Sequence, residues 1–465
     1  MVSHPLETTS PYAWFATLWP IAVIFHLAGN DANLVRLTTI GWWQLPFLAA
    51  AVAMLTRPTP TKALLLAVVH LPVVVIKLPV VGNHEILLLL IDLAVIIGVL
   101  TRRKHWIPSV VPPLRWVLLI AYSAIAFSKL NSSFVDPLVS CAVIFGDEFG
   151  NWVNVSVSNS AVLSNMAIAI TLIAELSIPI LLMIRPLRRF GVMLGLGFHT
   201  LLALEPSGHV FDFTSVLFVF FLLFLTPPAS TALSQAVERA RYGGGLPRIA
   251  TVLAVMAIGN LITHRLLVAG NDVPKWLFDF PFFVAYAVFI FRTVGPATRG
   301  DRGSPSRLAF RIAPAMGVIV LLTSLNAVSP YLELRSAGAF TMYSNLSAYN
   351  GQTNHYLLPG TLPLGDAPRL YNYEPDPDTA IGLDFYDKGG FLVPEANLAQ
   401  WANTYPHLDV HVELVAGEGS PRIVSVQELA TNVDAADSIT ERVLHIRPID
   451  PDRPTSCARY WGPAN

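Results

Sequence analysis

A lysine closes the apolar stretch AYSAIAFSKLNSS, residues 121 to 133, at a depth where hydrocarbon would still surround an inserted helix. A lysine at the centre of a membrane helix costs about 3 kcal/mol, so ionisable residues there usually face protein or a polar cavity. Lys129 shares a helical stripe with Tyr122 and Ala126, and the segment is dense in small residues (Ala121, Ser123, Ala124, Ser128), the composition of a helix–helix contact. On this reading Lys129 faces protein, and a buried lysine that has given up its proton is a general base. The competing reading of the same position is a snorkelling anchor whose ammonium reaches the lipid headgroups.

Other polar residues interrupt the apolar runs. Asn83 and His84 open one of them; a neutral imidazole there can hydrogen-bond a developing oxyanion, or the two residues simply start a helix. His199 follows GVMLGLG, whose glycines at helical spacing permit close helix packing, so it is either a satisfied core histidine or part of a site. Glu175 stands in midspan and either pairs with a histidine or arginine or stays protonated. His70 and Lys77 share a stripe of a proline-containing helix, which makes Lys77 a rival base. His407 and His411 fall on the edge of an expected strand without acidic partners, so no metal site is expected.

The elements that must position these residues are membrane helices. Hydrophobic residues make up 53% of the 465 positions and charged residues 13%, which is the composition of an integral membrane protein partnered by the lipid bilayer. A net charge of -1 provides no basic field for nucleic acid. The first apolar run has no Lys or Arg ahead of it and no small-residue cleavage pattern, and reads as a retained span. Apolar runs of spanning length fall near 12–28, 40–56, 62–79, 84–101, 114–131, 162–184, 190–205, 209–226, 247–268, 274–292 and 312–329, about eleven in all. Alternate loops hold Arg57 and Lys62; Arg102, Arg103, Lys104 and Arg115; Arg185, Arg188 and Arg189; Arg239, Arg241 and Arg248; and Arg292, Arg299, Arg302, Arg307 and Arg311, whereas the intervening loops hold only Arg36, Lys77, Arg265 and Lys275. Because cytoplasmic loops carry the Lys/Arg excess, the pattern places the N-terminus in the cytoplasm and the region after residue 330 outside a plasma (inner) membrane.

Beyond residue 330 Pro, Gly, Asp and Asn replace the apolar runs. LDVHVELVAGEGSPRIVSVQEL alternates on both sides of a glycine-rich turn and reads as a hairpin, and ANLAQWANTY reads as a short helix. The expected fold is an all-α polytopic membrane protein of about eleven transmembrane helices, residues 1–330, with a small C-terminal extracytoplasmic α+β domain, residues 331–465.

Several segments resemble a known family. YSAIAFSKLNSSF is similar to the tyrosine-headed helix ending in Lys-Leu of the vitamin K-dependent gamma-carboxylases and of the bacterial proteins sharing their horizontally transferred transmembrane (HTTM) domain. GNHEILLLL resembles the family's Asn-His helix start, AELSIPILL its acidic-plus-apolar helix, and GFHTLLAL followed by FDFTSVLF its Phe-His helix and next span. FTMYSNLSAYNGQTNHYLLP resembles elements that follow the last span in bacterial members, and the order of motifs agrees over most of residues 10 to 360.

The resemblance implies a quinol- and oxygen-dependent enzyme. It makes Lys129 the base that deprotonates a reduced menaquinone or vitamin K hydroquinone and places His84 near the oxygenation. Asn83, His199 and Tyr122 become candidate cofactor-binding residues. Oxygen and carbon dioxide are implied as co-substrates, with a peptide or protein on the outer face as the carboxylated partner. The carboxylases also link their membrane and lumenal parts by a disulfide, which makes Cys141 and Cys457 a candidate pair; the alternative is two unrelated thiols, Cys141 in LVSCAVIF being a buried apolar residue. Two departures stand out: Phe134 replaces a family tryptophan, and the region after the last span is far smaller than the propeptide-binding lumenal part of the eukaryotic enzymes. A reading from a different class is a non-catalytic membrane scaffold whose outer domain engages a partner.

Overall fold

The computed structural model describes residues 10–29, 39–78, 81–204, 210–242, 276–299, 308 and 310–364, together with 370–373, 391–395, 398, 411–414, 423–425 and short pieces between 443 and 457. Twelve α-helices lie within these residues: α1 Phe15–Gly29, α2 Thr39–Thr56, α3 Pro60–Lys77, α4 Asn83–Arg102, α5 Trp106–Ser128, α6 Cys141–Asn151, α7 Ala161–Met183, α8 Arg188–Ala203, α9 Phe211–Leu222, α10 Pro227–Tyr242, α11 Trp276–Arg299 and α12 Gly317–Val328. Five helical stretches are long and apolar enough to cross a membrane: Pro60–Lys77, Asn83–Ser128, Ala161–Met183, Phe280–Thr298 and Pro314–Leu332. The second carries α4 and α5 on either side of the one-turn segment Arg103–His105. Shorter apolar helices occupy Phe15–Leu27, Trp42–Thr56 and Phe211–Leu222. The expected run near 247–268 lies outside the described residues. This is a mostly helical, membrane-type chain with small sheets.

α7 shows why these segments are membrane helices. Val162, Met166, Ile170, Ile173, Ile180 and Met183 are exposed along it, while Ile168, Ile178 and Leu182 are buried. A contiguous apolar stripe of that kind would be a liability in water and is the natural surface in lipid. Pro72 and Pro179 sit inside α3 and α7, where membrane helices tolerate proline because neighbouring groups take up the freed carbonyls.

The chain divides into two compact units. The first comprises residues 1–76, 87–120 and 176–323. In it α1 packs against α9 and α2, α8 against α9, and α10 against α11. Gly191 and Gly195 serve the close approach their spacing predicts: a Cβ on Gly191 would stand 2.9 Å from the Leu182 nitrogen, and one on Gly195 2.5 Å from the Phe221 ring. One expectation needs correction. Arg115, assigned above to a basic loop, lies within α5 and is 1% exposed; its Nε donates to the Leu223 carbonyl at 2.8 Å and its Nη2 to the Tyr12 hydroxyl at 2.6 Å. The helix begins at Trp106 and carries Pro112 and Pro113 without ending, so the charge is structural and does not report on loop polarity.

The second unit comprises residues 77–86, 121–175 and 324–465. It holds the end of α5, α6 and two small sheets. β1 (Ala348–Tyr349) pairs antiparallel with β2 (Gln352–Thr353). β3 (Leu370–Tyr373), β4 (Phe391–Pro394), β5 (His411–Leu414) and β6 (Ile423–Ser425) form a four-stranded antiparallel sheet in the order β4-β3-β5-β6. The β5–β6 pair is the hairpin expected from the alternating pattern, with Val412 opposite Val424. His411 opens β5, whereas His407 and most of ANLAQWANTY lie outside the described residues. Cys141, at the first position of α6, is disulfide-bonded to Cys457, with Cα atoms 5.0 Å apart. Around the bond Phe134, Ala142, Val143 and Ile168 form a buried apolar cluster.

Candidate functional site

Lys129 follows the last residue of α5, and only 3% of it is exposed. Its Nζ lies 2.8 Å from Glu175 Oε2 and donates to the Met342 carbonyl at 3.2 Å. The Phe134 ring centroid is 5.9 Å away, at the limit of a cation–π contact. Glu175 was expected to pair with a histidine or arginine or to stay protonated; its partner is instead this lysine. Tyr122, two turns before Lys129 on α5, is buried and lies within electrostatic range of the Glu175 carboxylate. An ammonium has three N–H donors. Lys129 spends one of these on the Met342 carbonyl and meets Glu175 as an ion pair, so protein acceptors do not saturate it.

The segment that delivers the Met342 carbonyl is strained. Phe340, Tyr343 and Asn345 have φ of 56°, 50° and 53°, a left-handed conformation that costs non-glycine residues about 1 kcal/mol or more each. Side chains from elsewhere hold it. Asn83 Oδ1 accepts from the Phe340 amide at 2.8 Å, and the Tyr343 ring packs edge-on against Phe145 of α6 at 4.9 Å. Asn131 Nδ2 donates to the Ser128 and Ser344 carbonyls, while its Oδ1 accepts from the Phe134 amide. Asn345 Oδ1 accepts from the Cys141 amide, and its Nδ2 donates to the Val139 and Thr455 carbonyls. Asn354 Nδ2 reaches Asn131 Oδ1, Ser133 Oγ and the Asn345 carbonyl. These asparagines act as connectors because each offers donors and an acceptor from one rigid plane.

His355 completes this group. Its Nδ1 accepts the Leu357 and Leu358 amides, so Nε2 carries the proton and donates to the Phe127 carbonyl at 2.8 Å. Burial lowers its pKa below the ordinary histidine value, partly offset by the bond to Phe127.

The structure therefore joins Lys129 to Glu175, sets Tyr122 beside that pair, and ties Asn83 to the segment bearing Met342. His84 is half-buried between Asn83 and Glu85 at the start of α4. Lys77, the rival base, is ion-paired with the buried Glu85, whose Oε2 also accepts the Gly82 amide at 2.9 Å. His199 belongs to the first unit, where its ring contacts Phe213 and Phe221 and its carbonyl accepts the Thr214 hydroxyl. His70, also there, is bonded through Nδ1 to Asp92 Oδ2 at 2.5 Å, with the Phe47 ring stacked on it at 4.2 Å. Asp92, Glu85 and Arg335 went unassigned in the sequence. The lone acid inside ILLLLIDLAVIIG was a signal for Asp92, since a carboxylate at that depth requires a partner.

No family model, characterised protein or solved structure matches the chain.

Proposed function

We propose that the protein is a membrane enzyme of the gamma-carboxylase-like type, in which Lys129 takes a proton from a reduced quinone. The observation that carries this reading is the buried Lys129 amine, ion-paired with Glu175, hydrogen-bonded to a strained carbonyl segment and not saturated by protein acceptors. The surroundings fit the aromatic ring of a quinol, whose hydroxyl would face the lysine: Tyr122 and Phe134 are buried, and a lipid-soluble proton donor would reach such a site from the bilayer. Oxygen would be the oxidant and the quinol the reductant, one oxygen atom ending in the quinone epoxide and the other in water, with or without coupled carboxylation of a glutamate by carbon dioxide. The chain's own part is to hold the Lys129 amine, to provide Glu175 as the acceptor that lets it shed its ammonium proton, and to fix the Met342 carbonyl. Asn83 positions that carbonyl through Phe340, and His84 stands next to it in the chain. The finer topology belongs to the same proposal: about eleven spans, a cytoplasmic N-terminus, a plasma-membrane location and residues after 330 outside.

The test is purified protein with reduced menaquinone and oxygen, read as quinone epoxide. Lys129→Ala is expected to abolish epoxide formation, at a stability cost like that of Glu175→Gln because it too breaks the buried pair, and an added small amine to restore part of the activity. Full turnover by the alanine variant rejects the role. A second reading, a non-catalytic scaffold, is favoured by the dense bonding of Asn131, Asn345 and Asn354. It is supported if the wild-type protein forms no epoxide and Lys129→Met is destabilised as Glu175→Gln is.

A further inference from the structure

Arg335 is an unexplained charge. It follows the apolar stretch Pro314–Leu332 by three residues and is 7% exposed. Burial lowers its pKa to about 10, which leaves it cationic at neutral pH. Its Nε donates to the Ala337 carbonyl at 2.6 Å, but Nη2 is buried with no partner. Glu333, the nearest acid in the chain, is turned to the Gly351 amide and the Thr361 hydroxyl. Among the described residues no carboxylate pairs with this guanidinium. Buried charges are normally paired, because an uncompensated one carries a large desolvation cost.

The loop bearing Arg335 is built to hold it there. Ser329 Oγ lies 3.2 Å from the Arg335 carbonyl, and Asn326 Nδ2 donates to the Gly338 carbonyl at 2.8 Å. Gly338, at φ 64°, lets the loop close against the guanidinium: a Cβ there would stand 3.1 Å from Nη2, 2.8 Å from the Val81 carbonyl and 3.2 Å from Ile86 Cγ1. On the same loop Thr341 Oγ1 donates to the Ser336 carbonyl at 3.4 Å. A planar guanidinium whose outer edge lacks protein acceptors matches two oxygens of a tetrahedral or planar oxyanion. Three residues past an apolar helix, the anion most abundant around it is phosphate of the headgroup layer.

We propose that Arg335, framed by Gly338 and the Ser329 and Asn326 clamps, is a phosphate-binding site that takes a phospholipid headgroup or free phosphate. The site is independent of the quinol reading, and its failure leaves the Lys129 assay unaffected. Full-length protein in mild detergent is examined by native mass spectrometry for retained phospholipid. In parallel, delipidated protein is melted with inorganic phosphate, or with phosphatidylglycerol in mixed micelles. Wild type is expected to retain phospholipid or to gain thermal stability with one of the probes. Arg335→Gln is expected to lose that response at least about tenfold, and Arg335→Lys, which keeps the charge without the fork, to lose part of it. Retained lipid with no effect of inorganic phosphate identifies the headgroup as the source; a phosphate effect identifies the soluble anion. Wild-type protein with neither retained phospholipid nor a shift with either probe overturns the proposal even if both variants fail to fold. Undiminished binding by Arg335→Gln overturns it equally.

Discussion

At the scale of single residues, Lys129 and Glu175 constrain each other. Glu175→Gln would leave the ammonium buried without its counter-ion, a change that typically costs about 3 kcal/mol. Thermal melts should show that loss, and Glu175→Gln combined with Lys129→Met should recover most of it; a double variant no more stable than the single one would mean the pair is not energetically coupled. His355 makes a pH-dependent prediction. Because burial holds its folded-state pKa below the ordinary value of 6.5, the folded form binds a proton less readily than the unfolded one. Its contribution is present above about pH 6.5 and declines as the pH falls below it. Protonating Nδ1 also removes the acceptor of the Leu357 and Leu358 amides, so hydrogen exchange at those two amides should accelerate between about pH 6.5 and 5. Exchange that stays level relative to neighbouring amides would remove this role. Lys129 was legible in the sequence because a cation in an apolar run is conspicuous. Its partner was not: Glu175 lies 46 positions away, and spacing carries no information about which of several polar residues an acid will meet.

At the scale of elements, the glycines of α8 separate packing from chemistry. Gly195→Ala drives a Cβ into the Phe221 ring and should destabilise by about 1–3 kcal/mol. Gly197 has nothing within 4 Å of its Cβ position, so Gly197→Ala should be neutral or stabilise by up to about 1 kcal/mol through helix propensity. Melting temperatures of the two variants check the contrast, and equal values would mean α8 and α9 do not meet through Gly195. Hydropathy located these helices well, since a run of apolar residues has to be helical in lipid. It misplaced the start of α5, where prolines that would end a helix in water are carried inside one. It also gave no sign of α6, whose eleven residues are too few to cross a bilayer and whose order comes from the disulfide and the Ser140 side chain that caps its first turn.

At the scale of the molecule, residues far apart in sequence build the second unit, which joins 77–86 and 121–175 to everything after 324. The proposed orientation predicts that Asn350→Cys is labelled from outside intact cells and Lys104→Cys only after permeabilisation. The reverse pattern would invert the topology. The strand pattern after residue 330 was readable, but the membership of residues 121–175 in the same unit was not, because it depends on asparagine side chains whose partners lie more than two hundred positions away. The disulfide carries a further consequence, for the order of assembly. Its cysteines are separated by 316 positions, so at roughly 5–20 residues per second the first waits about 16–60 s for the second to be synthesised. Throughout that interval Cys141 is an unprotected thiol on a growing chain. Any product that stops short of Cys457 keeps it so permanently, so closing the bond reports that synthesis has passed that residue.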